Sequence, residues 1–485
     1  MKPNRKQSVA AGLLLFLAGC MVGPKYQRPA APVPAAFKES PPEGWKTSQP
    51  NDGQLRGNWW QVFNDPDLNK LEEQVAISNQ NVLAAEAQFR EAKDLVRIAR
   101  ANLFPTVTAG ASVSMSKQPF LLGGQGGNSS FSNRITSYEL SGSASWTADI
   151  WGSIRRTVRQ NEFLAQASAA QLENAKLSYQ SELASDYFQL HGTDGDIDLL
   201  ERTSKLYQDY LELTQNRMRV GVASGADVAQ AETQLESAKV TLVDLGVARA
   251  QFEHALAVLI GKPPAEFSIS PKILMSPPAE IPLAAPSALL ERRPDIATNE
   301  RRMAAALEQV GITDAAFYPN LTLTANGGFD SLISNPLSWA SRLFSLGSSL
   351  SETVYEGGRR RAAVNQAKAA FDATVAAYRQ TVLAAFQQVE DNLAALRILQ
   401  DEAVEEARAV EAANRTLTIT TAQYKAGTVD YLTVITSQTA LFTAQRGAVD
   451  LVTRRLASAV LLIQALGGGW DASQLPSPEN LRAGR

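Results

Sequence analysis

Two X-Pro steps divide this chain, and after each the residue pattern changes period. The stretch Asn81–Pro105 reads as helix and ends in ARANLFP, and Asp295–Pro319 reads as helix and ends in ITDAAFYP. Proline cannot continue a helix and disfavours the helical conformation of the residue before it. After Pro105, Val107, Ala109, Ala111, Val113 and Met115 alternate with Thr106, Thr108, Ser112, Ser114 and Ser116. After Pro319, Leu321, Leu323, Ala325 and Phe329 alternate with Asn320, Thr322, Thr324 and Asn326. Strict period 2 means strands with one apolar and one polar face. A second alternating run follows each: Tyr138, Leu140, Ala144, Trp146, Ala148 and Ile150 in the first, Phe344, Leu346, Leu350 and Val354 in the second. In that last run Glu352 falls on the apolar face. The pattern predicts four strands, about 106–116, 136–151, 320–330 and 342–355, with loops at Gly123 to Ser130 and around Asn335-Pro336.

Tilted strands of about ten residues match the hydrocarbon thickness of an outer membrane. A soluble β-sandwich would alternate in the same way, but the rest of this chain reads as long helix and offers no partner sheet. Four strands cannot close a barrel, whose smallest membrane form has about eight, and hydrocarbon tolerates no open sheet edge. Strands in a membrane would therefore have to be closed by two, three or four copies of the chain.

Each second strand runs into a long helical segment, Ser153 to about Val220 and Arg359 to about Lys425, each roughly 100 Å if continuous. His191-Gly192 and Gly195 interrupt the first, and a local break or bend is expected there. Alanine-rich stretches such as QAKAAFDATVAAYRQTVLAAF carry coiled-coil-like spacing. Both segments end in a glycine turn (Gly221, Gly427), an aspartate (Asp227, Asp430) and a returning helix. The unit of helix, proline, strand, loop, strand, long helix, turn and long helix thus occurs twice, with corresponding residues about 205–214 positions apart. The organisation expected is a leader (1–19), a proline-rich N-terminal stretch (20–58), a first repeat (59–265), a second repeat (266–466) and a C-terminal equatorial or tail segment (467–485).

The leader has a basic start (Lys2, Arg5, Lys6), an apolar run from Ala10 to Leu17, then Leu17-Ala18-Gly19-Cys20, with the chain's single cysteine at the cleavage point. That order reads as a lipobox, with cleavage before Cys20 and acylation of its thiol; an ordinary signal peptide with an incidental cysteine is the other reading. The prolines between 21 and 50 suit an extended tether, or equally an unstructured segment. Losing the three basic leader residues takes the net charge of the 485-residue chain from −3 to −6. A mildly acidic chain without a basic stripe argues against nucleic-acid binding. No disulfide is possible within the chain, and no apolar run reaches the 18 residues of a transmembrane helix.

No catalytic constellation is visible, so the chain is not read as an enzyme. The two histidines, His191 and His254, lie far apart in helical segments, and there is no metal-ligand cluster, GxSxG, P-loop or methionine cluster. No cofactor is expected beyond the covalent lipid on Cys20. The arginines at the two long-helix starts (Arg155, Arg156, Arg159; Arg359, Arg360, Arg361) oppose the helix dipole and need compensation, by lipid head groups at a membrane boundary or by solvent.

The stretches GCMVGPKYQRP (19–29), WW (59–60), LIGKPP (259–264), LLERRPDI (289–296), YEGGRRRA (355–362) and ALGGGW (465–470) resemble the TolC-like outer-membrane efflux proteins, in their OprM/NodT-type lipoprotein branch. The resemblance covers essentially the whole mature chain. It implies an α+β membrane protein with an internal two-fold repeat. Three chains with four strands each would form a twelve-stranded outer-membrane barrel, continued by a helical coiled-coil barrel through the periplasm. It further implies a passive exit duct for small molecules such as drugs, working with a periplasmic adaptor and an inner-membrane transporter of the RND type. Two other readings stay open: the same duct serving an ABC-driven exporter, and a structural periplasmic lipoprotein without a pore. In the family the returning helix carries a leucine, an aspartate one turn later and an arginine as its constriction. Those positions are Leu432, Thr436 and Thr439 here, so only the leucine is kept. Leu432 is expected as the plug, with Asp430, Asp227 and Glu232 as a cation-favouring set of carboxylates. The turns at Gly221, Ser224, Gly225, Gly427 and Thr428 are expected to meet the adaptor.

Overall fold

The computed structural model describes residues 21–42, 58–121, 130–274, 281, 289–331 and 339–483. Cys20, nearly all of the 123–130 loop and Asn335-Pro336 lie outside them. Helices α1 (Pro66–Ser78) and α2 (Gln80–Ala101) lead to strands β1 (Thr106–Leu121) and β2 (Ser130–Ala148), then to the long hairpin α3 (Ser153–Arg219) and α4 (Gly225–Leu259). The second repeat runs α5 (Pro294–Ala315), β3 (Asn320–Ser331), β4 (Arg342–Ser351), α6 (Arg359–Ala426) and α7 (Tyr431–Ala465), and a short α8 (Pro478–Arg482) closes the chain.

The sheet has the order β1-β2-β3-β4, antiparallel throughout, so β1 and β4 are free edges. Its rows are uniform in character. Val107, Ala144, Ala325 and Leu346 are mutual partners on one face, and Thr108, Ser143, Asn326 and Ser345 on the other. The polar row is bonded across strands: Thr108 Oγ1 lies 2.6 Å from Ser143 Oγ, and Asn326 Nδ2 donates to Ser345 Oγ at 3.1 Å. The apolar face is largely bare among the described residues: Val107, Met115, Phe344 and Leu346 are 71–84 % exposed. A soluble sheet buries its apolar face; this one keeps it for lipid. Among the described residues, no helix is long and apolar enough to cross a membrane.

The strands differ at their ends from the expected ones. β1 and β2 pair through to Leu121 and Ser130, five residues beyond the expected 116 and six before 136. β2 stops at Ala148 instead of 151 because Asp149 turns to cap α3, accepting from the Ile154 amide (3.0 Å) and the Arg155 amide (2.9 Å). β4 stops at Ser351 instead of 355. Glu352 therefore sits outside the apolar face, 3.5 Å from Arg360.

The expected break at His191–Gly195 is absent, and α3 runs unbroken for 67 residues. The glycines serve packing. A Cβ on Gly192 would stand 2.3 Å from Thr453 Oγ1, and one on Gly195 3.0 Å from Val449 Cγ1, so α7 crosses α3 where side chains are missing. His191 is buried, its Nδ1 2.8 Å from Asp194 Oδ2. Asp194 also accepts from Arg249 Nε (2.7 Å) and the Lys272 amide (3.1 Å), while Lys272 Nζ reaches Asp65, which also takes the Tyr187 hydroxyl. This network fastens the linker between the repeats to the middle of α3.

The proline-rich stretch is strapped down over 21–42. Val22 donates its amide to Trp151 O, and Arg156 donates to Val22 O (2.6 Å) and Pro24 O (3.2 Å). Tyr26 donates to Glu300, Arg28 to the Tyr378 hydroxyl, and the Lys38 and Glu39 amides to Glu390. The C-terminal tail is tied to the upper helices at residues 482–483. Arg97 and Arg100, at the membrane end of α2, donate to Ala483 O and Arg482 O, and Arg482 pairs with Glu162 near the start of α3.

Two consequences are measurable. Gly192→Ala overpacks the α3–α7 crossing and should cost about 1–3 kcal/mol, read as a lower melting temperature; Thr453→Ala added to it should restore most of the loss. Glu72 is fully buried among Leu68, Leu71 and Val75 with both carboxylate oxygens unpartnered, and burial pushes its carboxyl well above the usual range. A carboxyl raised on folding keeps a proton that the unfolded chain loses above about pH 4.3, so its contribution to stability falls as pH rises past that value. Glu72→Leu should therefore melt higher than wild type, by a margin that grows from about pH 5.5 to about pH 8.

Candidate functional site

Each long hairpin closes on a turn whose aspartate is committed to a helix cap. Gly221 takes the left-handed conformation (φ 78°) after α3, and Ser224 and Asp227 form a reciprocal box at the start of α4. The Asp227 amide donates to Ser224 Oγ (3.2 Å), and the Ser224 amide to Asp227 Oδ2 (2.8 Å). In the second turn Gly427 (φ 77°) ends α6 as Gly221 ends α3, and Asp430 caps α7 through the Thr433 hydroxyl (2.6 Å) and amide (3.0 Å). Those two bonds hold the Asp430 carboxyl below the usual range.

The residues expected at the constriction share the start of α7 but not one contact set. Leu432 follows the cap and is 54 % exposed. Thr436 donates its hydroxyl back to Leu432 O (2.9 Å), and Thr439 accepts from Gln234 Nε2 at 3.4 Å. Glu232 is exposed on α4, and among the described residues no hydrogen bond joins it to Thr436. Gly221, Ser224, Gly225, Gly427 and Thr428 lie at the tip, all but Ser224 and Gly225 flanking the ends of α3 and α6.

Behind the turns lies a cluster that sequence reasoning missed. Tyr207, Tyr210, Tyr424 and Tyr431 are buried together. The Tyr210 hydroxyl lies 2.6 Å from Thr421 Oγ1, and the Tyr424 and Tyr431 rings are 5.4 Å apart. The Arg217 guanidinium stands 4.7 Å over the Tyr424 ring and donates to Lys425 O, tying the first hairpin to the second. The available signal was the pair Tyr207 and Tyr210, three apart on one helix face, facing Tyr424 and Tyr431 on either side of a turn.

At the foot of the barrel, several of the helix-start arginines are compensated by carboxylates of the same chain. Arg155 pairs with Asp149 (3.0 Å), the buried Arg156 with Glu308 (2.7 Å), and Arg359 and Arg360 with Glu356 (2.7 and 2.8 Å). These four have carboxylate partners without head groups. Among the described residues no group of three or more His, Cys, Asp or Glu could hold a metal ion.

The family described as Outer membrane efflux protein matches residues 71–262 and 285–468. The chain is 30 % identical over 458 residues to the probable efflux pump outer membrane protein TtgC of Pseudomonas putida, covering 94 % of both chains. It is 31 % identical over 464 residues to the pyoverdine export outer membrane protein OpmQ of the same species, covering 91 % of this chain and 95 % of the relative. Among solved structures it is similar to the outer-membrane channel OprN, with 29 % identity, a TM-score of 0.85, and 93 % of this chain and 100 % of that one covered. The chain belongs to the outer membrane efflux protein family and is the outer-membrane exit duct of a tripartite efflux system.

Proposed function

We propose that this chain conducts small molecules such as drugs passively, in a pump driven by an RND-type inner-membrane transporter through a periplasmic adaptor. The observation that carries the reading is the sheet: an apolar face left bare, a hydroxyl-lined face opposite it, two open edges, and direct continuity with two long helical hairpins. Three chains supply twelve strands and close the edges. In the upper wall the helices neighbour one another in the order α2, α3, α5, α6, and in the lower wall α4, α3, α7, α6. The outer members then form the seams between chains. Val240, Val243 and Val247 on α4, and Ile398, Val404 and Ile419 on α6, are exposed apolar side chains suited to such seams.

Cys20 carries the lipid in this reading. Met21 packs on Gly152 at the strand-to-helix junction, where a Cβ would stand 2.5 Å from Met21 Cγ. In this reading the mature chain starts beside the membrane boundary. The lipoprotein leader and ALGGGW favour the RND branch over an ABC-driven exporter.

At the tip, Leu432 is the plug and the carboxylates of Asp430, Asp227 and Glu232 favour cations. With Thr436 and Thr439 in place of charged residues, no ion pair at those positions holds the gate shut. In planar bilayers Leu432→Ala should raise single-channel conductance. Asp430→Asn keeps the cap with little loss of stability and should lower cation preference. Unchanged conductance and selectivity in both would remove the gate assignment, and absence of any current in wild type would favour the structural lipoprotein. A photo-crosslinker at Thr428 should capture the adaptor of an RND transporter in cells; capture of an ABC exporter's adaptor would move the duct to secretion.

A further inference from the structure

A cleft of about 690 Å³ lies between the N-terminal strap, the first turns of α3 and the C-terminal α8. Its upper rim is Met21, which packs on Gly152 at the foot of the barrel. Its floor descends α3 through Arg159, Phe163 and Gln166, roughly 10 to 20 Å below that junction at 1.5 Å per residue. The cleft is on α3, an inner member of the upper wall in the order given above.

Its charges do not cancel. Lys25, Arg156, Arg159 and Arg482 line it against Glu162, Glu308 and Glu479. Arg156 is paired with Glu308 and Arg482 with Glu162, while Glu479 acts on Arg482. Lys25 and Arg159 are exposed and have no ion-pair partner among the described residues. A second observation is independent of charge. Gln166 is 8 % exposed, its Nε2 donates to Pro476 O (3.0 Å), and its buried Oε1 has no donor. The cleft thus offers two free cations, one unfilled acceptor, and apolar surface from Met21 and Phe163.

We propose that this cleft binds the head group of phosphatidylglycerol from the periplasmic leaflet. The phosphate diester answers Lys25 and Arg159, a glycerol hydroxyl donates to Gln166 Oε1 past Phe163, and the acyl-chain roots lie against Met21 at the upper rim. A zwitterionic head group brings an ammonium that the cationic excess repels. The inference rests on the reading that places Met21 at the membrane boundary.

The test uses the full acylated protein in nanodiscs of phosphatidylethanolamine and phosphatidylglycerol at 3:1, extracted and read by native mass spectrometry. Wild type should retain phosphatidylglycerol selectively, about one per chain. Lys25→Glu with Arg159→Glu should lower retention about tenfold or more, and Gln166→Leu should lower it while leaving both cations in place. Equal retention of both lipids, or full retention by the charge-reversed variant with its oligomer intact, would overturn the proposal. Displacement of the lipid by millimolar glycerol 3-phosphate would overturn the membrane as its source. The intact mass of the same sample reports acyl chains on Cys20, so failure of the anchor and failure of the cleft are read separately.

Discussion

Everything in this molecule follows from an unfinished sheet in hydrocarbon. A strand edge in lipid leaves amides and carbonyls without partners, each at a cost of several kcal/mol. β1 and β4 are such edges, and nothing among the described residues covers them. Closure by other copies is thus a condition of insertion, and the helices inherit the symmetry it imposes. Each strand pair needs a helical support in register beneath it, which a duplicated unit supplies twice.

The periodic parts of the fold were legible in the sequence because period 2 and period 3.6 are backbone properties. Val107 to Met115 announce a strand whatever surrounds them. The ends were not, because they depend on distant groups. β2 stops where Asp149 leaves to cap α3, and β4 stops before Glu352 meets Arg360. The continuity of α3 through Gly192 was illegible for the same reason: its cause, Thr453, lies on another helix. Local propensity argued for a break, and tertiary packing overrode it.

The tip was readable as position rather than contact. Gly221, Asp227, Gly427 and Asp430 mark turns in any reading, and the structure commits both aspartates to caps. The tyrosines behind them were hidden, since an aromatic on a long helix reads as generic core until its partner is known. The proline-rich segment was hidden more thoroughly. Composition describes what such a chain does alone, and here Arg156, Glu300, Tyr378 and Glu390 hold it.

That segment makes the duct a beam of graded stiffness. From Val22 at the junction to Glu39 against Arg397, it is laminated across α3, α5 and α6, over roughly 60 Å of α6. Below Arg397 no such ply continues among the described residues, and the tyrosine cluster helps join the hairpins there. A torque applied at the tip bends the unlaminated half first and is absorbed before it reaches the sheet. The tips of the hairpins can therefore move while the sheet stays fixed.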